Sequence, residues 1–247
     1  MIKLLLTLVI LATTIFSDPL SFSVLRKHDR HYEVNKETYR NQEVTVNYPQ
    51  IAGLGNRDRE QAINYTLKNE ALKVPMLYAD DDKNVHLEMN YAIKEQTSNR
   101  LSVIYSGMGV VPDAAYPTNL LYTTNMDILT GKRLSLPDIV DIDAGFIETF
   151  KNGEYKPYDP ELEIGQEIKE WIGEQSDEAW IAAFEQADDL SDKNAMSVYS
   201  YLTDDALGIS FNVPHALGDH AEVEIPYKEL KGSLHESIDS RNGERKK

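Results

Sequence analysis

His215 and His220 share one loop and are the nearest approach in this chain to a metal clasp, since ring nitrogens from one loop can converge on a cation. The six histidines are otherwise scattered, and none falls in a His-Glu-x-x-His run that would set two zinc ligands beside a general base on one helix face. Asp80-Asp81-Asp82 with Asn84, and Asp141-x-Asp143-x-Gly145, each match the opening of a calcium loop, where alternate oxygens converge on the ion. The closing glutamate would fall at Tyr91 in the first and Asn152 in the second, so both are read as turns or helix caps. Gly131-Lys132 lacks the earlier glycine and following Ser or Thr of a phosphate-cradling loop and reads as a hairpin turn. No Gly-x-Ser-x-Gly elbow occurs. Carboxylates are abundant, but acid–base work on a glycan needs one desolvated in a cleft, and the acidic residues here are read as lying on outer helix faces. The expectation is a protein without cofactor, metal or catalysis.

Charge narrows the partners. A net charge of -16 and pI near 4.8 oppose nucleic-acid phosphates, whereas a cationic protein would be attracted. Most of that excess lies between Pro137 and Asp192, where seventeen acidic residues face Lys151, Lys156 and Lys169. The segment is read either as a solubilising surface or as a steering field for a basic partner. There is no cysteine, hence no disulfide, thiolate metal site or lipidated anchor. Lys3, the apolar run Leu4 to Phe16 and the small residue Ser17 read as a secretory signal over residues 1–17. The run is shorter than the ~18 residues of a spanning helix, so membrane attachment is expected only if the signal is not cleaved. The protein is expected to be secreted or associated with the cell envelope.

The elements that must position these residues follow from hydrophobic period. His31 to Arg40 and Gln42 to Tyr48 are strand candidates, rich in Tyr, Val and Thr. Asn56 caps a helix expected over Arg57 to Leu72, with Ala62, Ile63, Thr66, Leu67 and Ala71 on one face. Val85, Leu87, Met89, Tyr91 and Ile93 alternate with polar residues, and Leu101 to Tyr105 and Leu120 to Met126 continue the pattern of a sheet. Ile164, Ile168, Trp171 and Ile172 take helical spacing, as do Ala179, Trp180, Ala183 and Phe184 after a Ser176 cap, which makes the two tryptophans core anchors. Met196 to Leu202, Leu207 to Val213 and Ala221 to Ile225 return to strand. The expected fold is α+β, with antiparallel sheets and amphipathic helices packed on one face, in two adjoining subdomains. A first subdomain is placed at 24–112, a second at 113–231 and a disordered basic tail at 232–247, with the break near Met108 to Ala115.

Several stretches in this order resemble the RsiV/PdaC-like ectodomains, a pair of domains of unknown function in Gram-positive bacteria. They are Asn47-Tyr48-Pro49-Gln50-Ile51 with Gly53-Leu54 and Ile63-Asn64, then Asn125 to Asp138 around Thr130-Gly131-Lys132, then Tyr201-Leu202-Thr203, Leu207 to Asn212 and Glu224-Ile225-Pro226-Tyr227-Lys228-Glu229-Leu230. The resemblance spans about Arg30 to Lys231. The family includes the lysozyme-sensing exterior of anti-sigma-V factors and the amino-terminal part of a peptidoglycan deacetylase. It therefore implies a non-catalytic module that recognises a lysozyme-like muramidase or peptidoglycan. Two departures stand against a full transfer: Ala114-Ala115-Tyr116-Pro117-Thr118-Asn119 replaces a Gly-Gly-Ala-His-Pro type segment, and only three residues precede the apolar run, leaving no part to hold a sigma factor. No deacetylase domain is expected after the tail. Tyr116, Pro117 and Asn119, at the altered family segment, and Asp138, Asp141 and Asp143, in the acidic stretch, are the candidate ligand contacts. A peptidoglycan-modifying hydrolase or deacetylase, and a structural envelope protein without a soluble ligand, are the alternatives.

Overall fold

The computed structural model describes residues 32–79, 85–112, 114–157, 163–190, 196–230, 232–235 and 238. The signal segment, the Asp80 to Asn84 group and most of the basic tail lie outside the described residues.

The first half forms a six-stranded sheet in chain order: β1 (Glu33–Asn41), β2 (Val44–Ala52), β3 (His86–Gln96), β4 (Arg100–Val110), β5 (Thr118–Asp127) and β6 (Arg133–Leu134). Every neighbouring pair is antiparallel except β2 and β3, which run parallel. Parallel neighbours need a crossover, and α1 (Arg57–Ala79) supplies it. Leu87, Met89, Leu101, Val103, Tyr105, Tyr122 and Met126 come from alternate positions and bury one sheet face against Ile63, Leu67 and Ala71 of α1.

The helix runs seven residues beyond the expected end at Leu72, through Pro75. Proline has no N–H to give the carbonyl four residues back and normally breaks a helix there. Here the orphaned acceptor is the Ala71 carbonyl, and the buried Tyr122 hydroxyl donates to it at 2.8 Å. A sheet residue thus replaces the missing bond.

The second half builds a four-stranded antiparallel sheet in the order β7 (Glu154–Lys156), β10 (His220–Pro226), β9 (Ala206–Asn212), β8 (Val198–Leu202). One face, from Leu207, Ile209, Phe211, Ala221, Val223 and Ile225, packs on α2 (Ala144–Lys151), α3 (Gly165–Glu174) and α4 (Asp177–Glu185). Trp180 is fully buried there among Phe150, Phe184 and Phe211, and Trp171 stacks on Phe211 at 5.5 Å, so both tryptophans are core residues. Ser176 caps α4 through a bond from the Ala179 N–H. The fold is α+β with two largely antiparallel sheets.

Two boundaries fall elsewhere than the sequence suggests. Met108 to Val110 end β4, and the next strand, β5, pairs with it in one sheet that continues to Leu134. A hydrophobic period marks strands but not their partners, so the change of layer is invisible until after β6. The tail also stays attached past Gly232: Leu234 bridges Val140, the His235 N–H donates to the Ile139 carbonyl, and Ile238 is buried. Leu234 and Ile238 are two apolar residues one helical turn apart in a polar stretch, too sparse to register as a period.

The sheets meet along β8. The outer edge of this strand is sealed by side chains: the Ser200 carbonyl accepts from Asn125 Nδ2 at 2.9 Å, and the Leu202 N–H donates to Ser102 Oγ at 2.9 Å. Asp188, in the left-handed region at φ 67°, completes the seal by accepting from the Ser200 N–H, while its own N–H donates to the Val198 carbonyl.

Candidate functional site

Tyr116 and Pro117 lie on the turn before β5, and Asn119 is the second residue of that strand. Tyr116 is 65% exposed, yet its ring stacks on His215 with centroids 4.8 Å apart. His215 Nδ1 sits 2.9 Å from Asp219 Oδ1, and the other oxygen of Asp219 accepts from the Asn119 N–H at 2.8 Å. Asn119 Nδ2 also reaches the Gly218 carbonyl. Gly218 takes φ 100°, a conformation that L side chains rarely adopt, to close this turn. Two of the six sequence candidates, Tyr116 and Asn119, therefore form a braced aromatic rim with His215 and Asp219, and Pro117 lies between them in the chain.

The other three are elsewhere. β6 pairs with Asn125 and Met126, and Asp138, Asp141 and Asp143 follow it in the chain. Each of these aspartates serves local structure. Asp138 Oδ2 accepts from the Ser135 N–H and hydroxyl, Asp143 caps α2 by accepting from the Phe146 N–H, and Asp141 pairs with His235 at 3.0 Å. The acidic cap anticipated for Asp141 to Gly145 is what the structure contains. Among the described residues, no three histidines or carboxylates gather as metal ligands.

A second group, not singled out in the sequence, continues from the rim along β10. His220, Glu222 and Glu224 alternate with the core residues Ala221, Val223 and Ile225 and so point away from the helices, toward the first sheet. Tyr201 Oη lies 3.1 Å from both Glu222 Oε2 and Glu224 Oε1. Its ring packs with Ile104 and Leu121 of the first sheet and lies 4.9 Å beneath the Lys94 ammonium. Lys156 Nζ approaches Glu224 at 3.6 Å. Burial raises the Glu222 carboxyl above its ordinary range, against the pull of Lys94 and the Tyr201 hydroxyl, and burial lowers His220. This is the desolvated carboxyl that an outer-face reading of the acidic residues misses. The signal for it was Gly208: a glycine inside a strand marks close approach, and a Cβ there would lie 2.0 Å from the Tyr201 ring.

The sequence matches no protein-family model and no curated protein. Solved structures do resemble it. A member of the DUF3298 family from Bacteroides fragilis superposes with a TM-score of 0.51 at 15% identity, over 87% of this chain and 96% of that one. A DUF3298 family protein from Pseudomonas aeruginosa PAO1 gives 0.50 at 14% identity, over 84% and 95%. At such identities the likeness is one of fold, and the chain shares the architecture of these DUF3298 proteins across most of its length.

Proposed function

We propose that this chain is a non-catalytic extracytoplasmic binding or sensing module of the bacterial cell envelope, which recognises a basic, lysozyme-like protein through the rim around Tyr116. The observation that carries the reading is Tyr116 itself, a large exposed aromatic held still by His215 and the Asn119–Asp219 brace. Rigid aromatics presented to solvent supply contact area at low entropic cost and dominate many interfaces. The RsiV/PdaC-like resemblance supports it by position, because Ala114 to Asn119 stands where the family carries its Gly-Gly-Ala-His-Pro type segment, with that segment's histidine absent here. Charge supports it too: Glu167, Glu170, Glu174, Asp177 and Glu178 are exposed on α3 and α4, a field that attracts a basic partner. Export rests on Lys3 to Ser17.

Calorimetric titration with a basic lysozyme at low and at physiological salt tests the reading. Binding that weakens with salt and falls at least tenfold in Tyr116→Ala is expected, a loss of more than about 1.4 kcal/mol. Absence of binding at low salt would sink it.

One observation favours a second reading, a peptidoglycan-modifying hydrolase or deacetylase: Glu222 is a buried carboxyl with a raised pKa beside a second carboxyl, the pairing that acid–base catalysis uses. Turnover of purified peptidoglycan that disappears in Glu222→Gln would establish it, and no turnover by the wild type removes it.

A further inference from the structure

The polar strip along β10 contains more acceptors than donors. Glu222 and Glu224 stand two residues apart on one strand face, and the Tyr201 hydroxyl is 3.1 Å from an oxygen of each. A phenol carries a single hydrogen and can serve one carboxylate at a time. If both carboxyls were ionised, the second contact would press lone pair against lone pair. The geometry closes when one carboxyl is protonated and donates to the phenol oxygen while the phenol donates to the other. Glu222 is the member that keeps the proton, since it is the more deeply buried, whereas Glu224 is partly solvated and has Lys156 Nζ 3.6 Å away. An independent feature points to the same carboxyl. Ser210 lies directly across from Glu222 in the β9–β10 register, on the face opposite the core residues Ile209 and Phe211. Among the described residues its hydroxyl has no hydrogen-bond partner, although Ser210 is only 1% exposed.

We propose that Glu222 and Glu224 share one proton across the Tyr201 hydroxyl, and that this proton holds the seam between the two sheets, with Ser210 as the reserve donor when it is lost. Tyr201 is the side chain through which the strip touches the first sheet, at Ile104 and Leu121. The charged and titratable groups around Glu222 are Lys94 from β3, Glu154 and Lys156 from β7, Tyr199 and Tyr201 from β8, His220 and Glu224 on β10, and Asp219 in the preceding turn. Two lysines face three carboxylates even before Glu222 ionises, so a further negative charge is uncompensated. Burial raises the Glu222 pKa, so the folded chain keeps a proton that the unfolded chain releases. The stabilisation is complete below the ordinary glutamate range and is lost as pH rises through the raised value.

Infrared difference spectroscopy of the whole chain, wild type minus Glu222→Gln at neutral pH, tests the proton directly. A protonated-carboxyl band that shifts in heavy water is expected, and its absence would overturn the proposal. In the titration window the wild-type unfolding constant should rise by up to tenfold per pH unit, and this component should vanish in Glu222→Gln, where an amide fixes the donor. Retention of that component in the variant would overturn the proposal as well. Should the variant not fold, carbon-13 glutamate labelling of the wild type decides: one carboxyl titrating above the ordinary range supports the shared proton, and ordinary titration throughout refutes it. None of these measurements uses lysozyme, so they stand or fall apart from the Tyr116 reading.

Discussion

Asp188→Asn is the sharpest probe of how the two sheets are joined. The Asp188 carboxyl is fully buried and accepts four bonds: from the Leu136 N–H at 2.8 Å, the Ser200 N–H at 2.6 Å, the Ser200 hydroxyl at 2.7 Å and the Thr123 hydroxyl at 3.2 Å. Asparagine keeps the size and tolerates the left-handed backbone, but it offers one acceptor oxygen in place of two. Whichever way the amide turns, one backbone N–H, of Leu136 or of Ser200, faces an NH2 group. An orphaned buried donor costs about 1–3 kcal/mol.

The cost should depend on pH. Burial raises Asp188 from 3.8 to about 6, outweighing the bonds from Ser200 and the nearby Arg133 that pull it down. Between those values the native state holds a proton that the unfolded chain has released, so wild-type stability falls as pH rises. The full effect is about 3 kcal/mol, of which about 1.3 kcal/mol falls between pH 5 and pH 7. Asparagine carries no such term. Guanidinium unfolding followed by fluorescence of Trp171 and Trp180, both in the second core, should therefore show a variant penalty that shrinks from pH 5 to pH 7. A penalty that instead grows with pH would mean that the four donors hold the carboxylate ionised, and the burial argument would be wrong.

Three further substitutions test other parts of the structure. Gly208→Ala drives a methyl into the Tyr201 ring, and overpacking of this kind should cost about 1–3 kcal/mol by chemical denaturation. Arg100→Met takes from the buried Glu95 carboxylate the guanidinium that holds it with two bonds of 2.7 and 2.8 Å, and the lost stability should be about 3–5 kcal/mol, whereas a loss below 1 kcal/mol would contradict a desolvated pair. Asp143→Ala removes the cap of α2 and should lower stability by about 1 kcal/mol in chemical denaturation, because its carboxylate accepts from the Phe146 N–H.

What was legible in the sequence was whatever repeats with a period. The alternation in β3, the helical spacing around Trp171 and Trp180, the Ser176 cap and the turn at Gly131 all appear in the structure. Pairing between elements was not legible. β10 reads as an ordinary half-exposed strand, apolar at Ala221, Val223 and Ile225 and charged between them, and nothing in that alternation reveals that a second sheet covers part of the charged side. Asp188, Asn125, Ser102 and Ser200 look like surface residues for the same reason, yet they line the seam. The Tyr116 rim was reached through family resemblance alone, and the histidine that steadies it lies in a distant loop.

The sealed edge of β8 bears on self-association. A strand with unpaired amides and carbonyls is a template for another chain, and proteins suppress this by covering the edge or placing charges on it. Here Asn125, Ser102 and Asp188 occupy the edge of β8, while the outermost strand of the other sheet, β1, carries exposed Lys36, Glu37 and Arg40. One edge is closed by hydrogen bonding from within and the other is defended by charge. Loss of Asn125 would therefore surface as lost stability in chemical denaturation and not as oligomers in light scattering, because the bared Ser200 carbonyl stays buried beneath the first sheet.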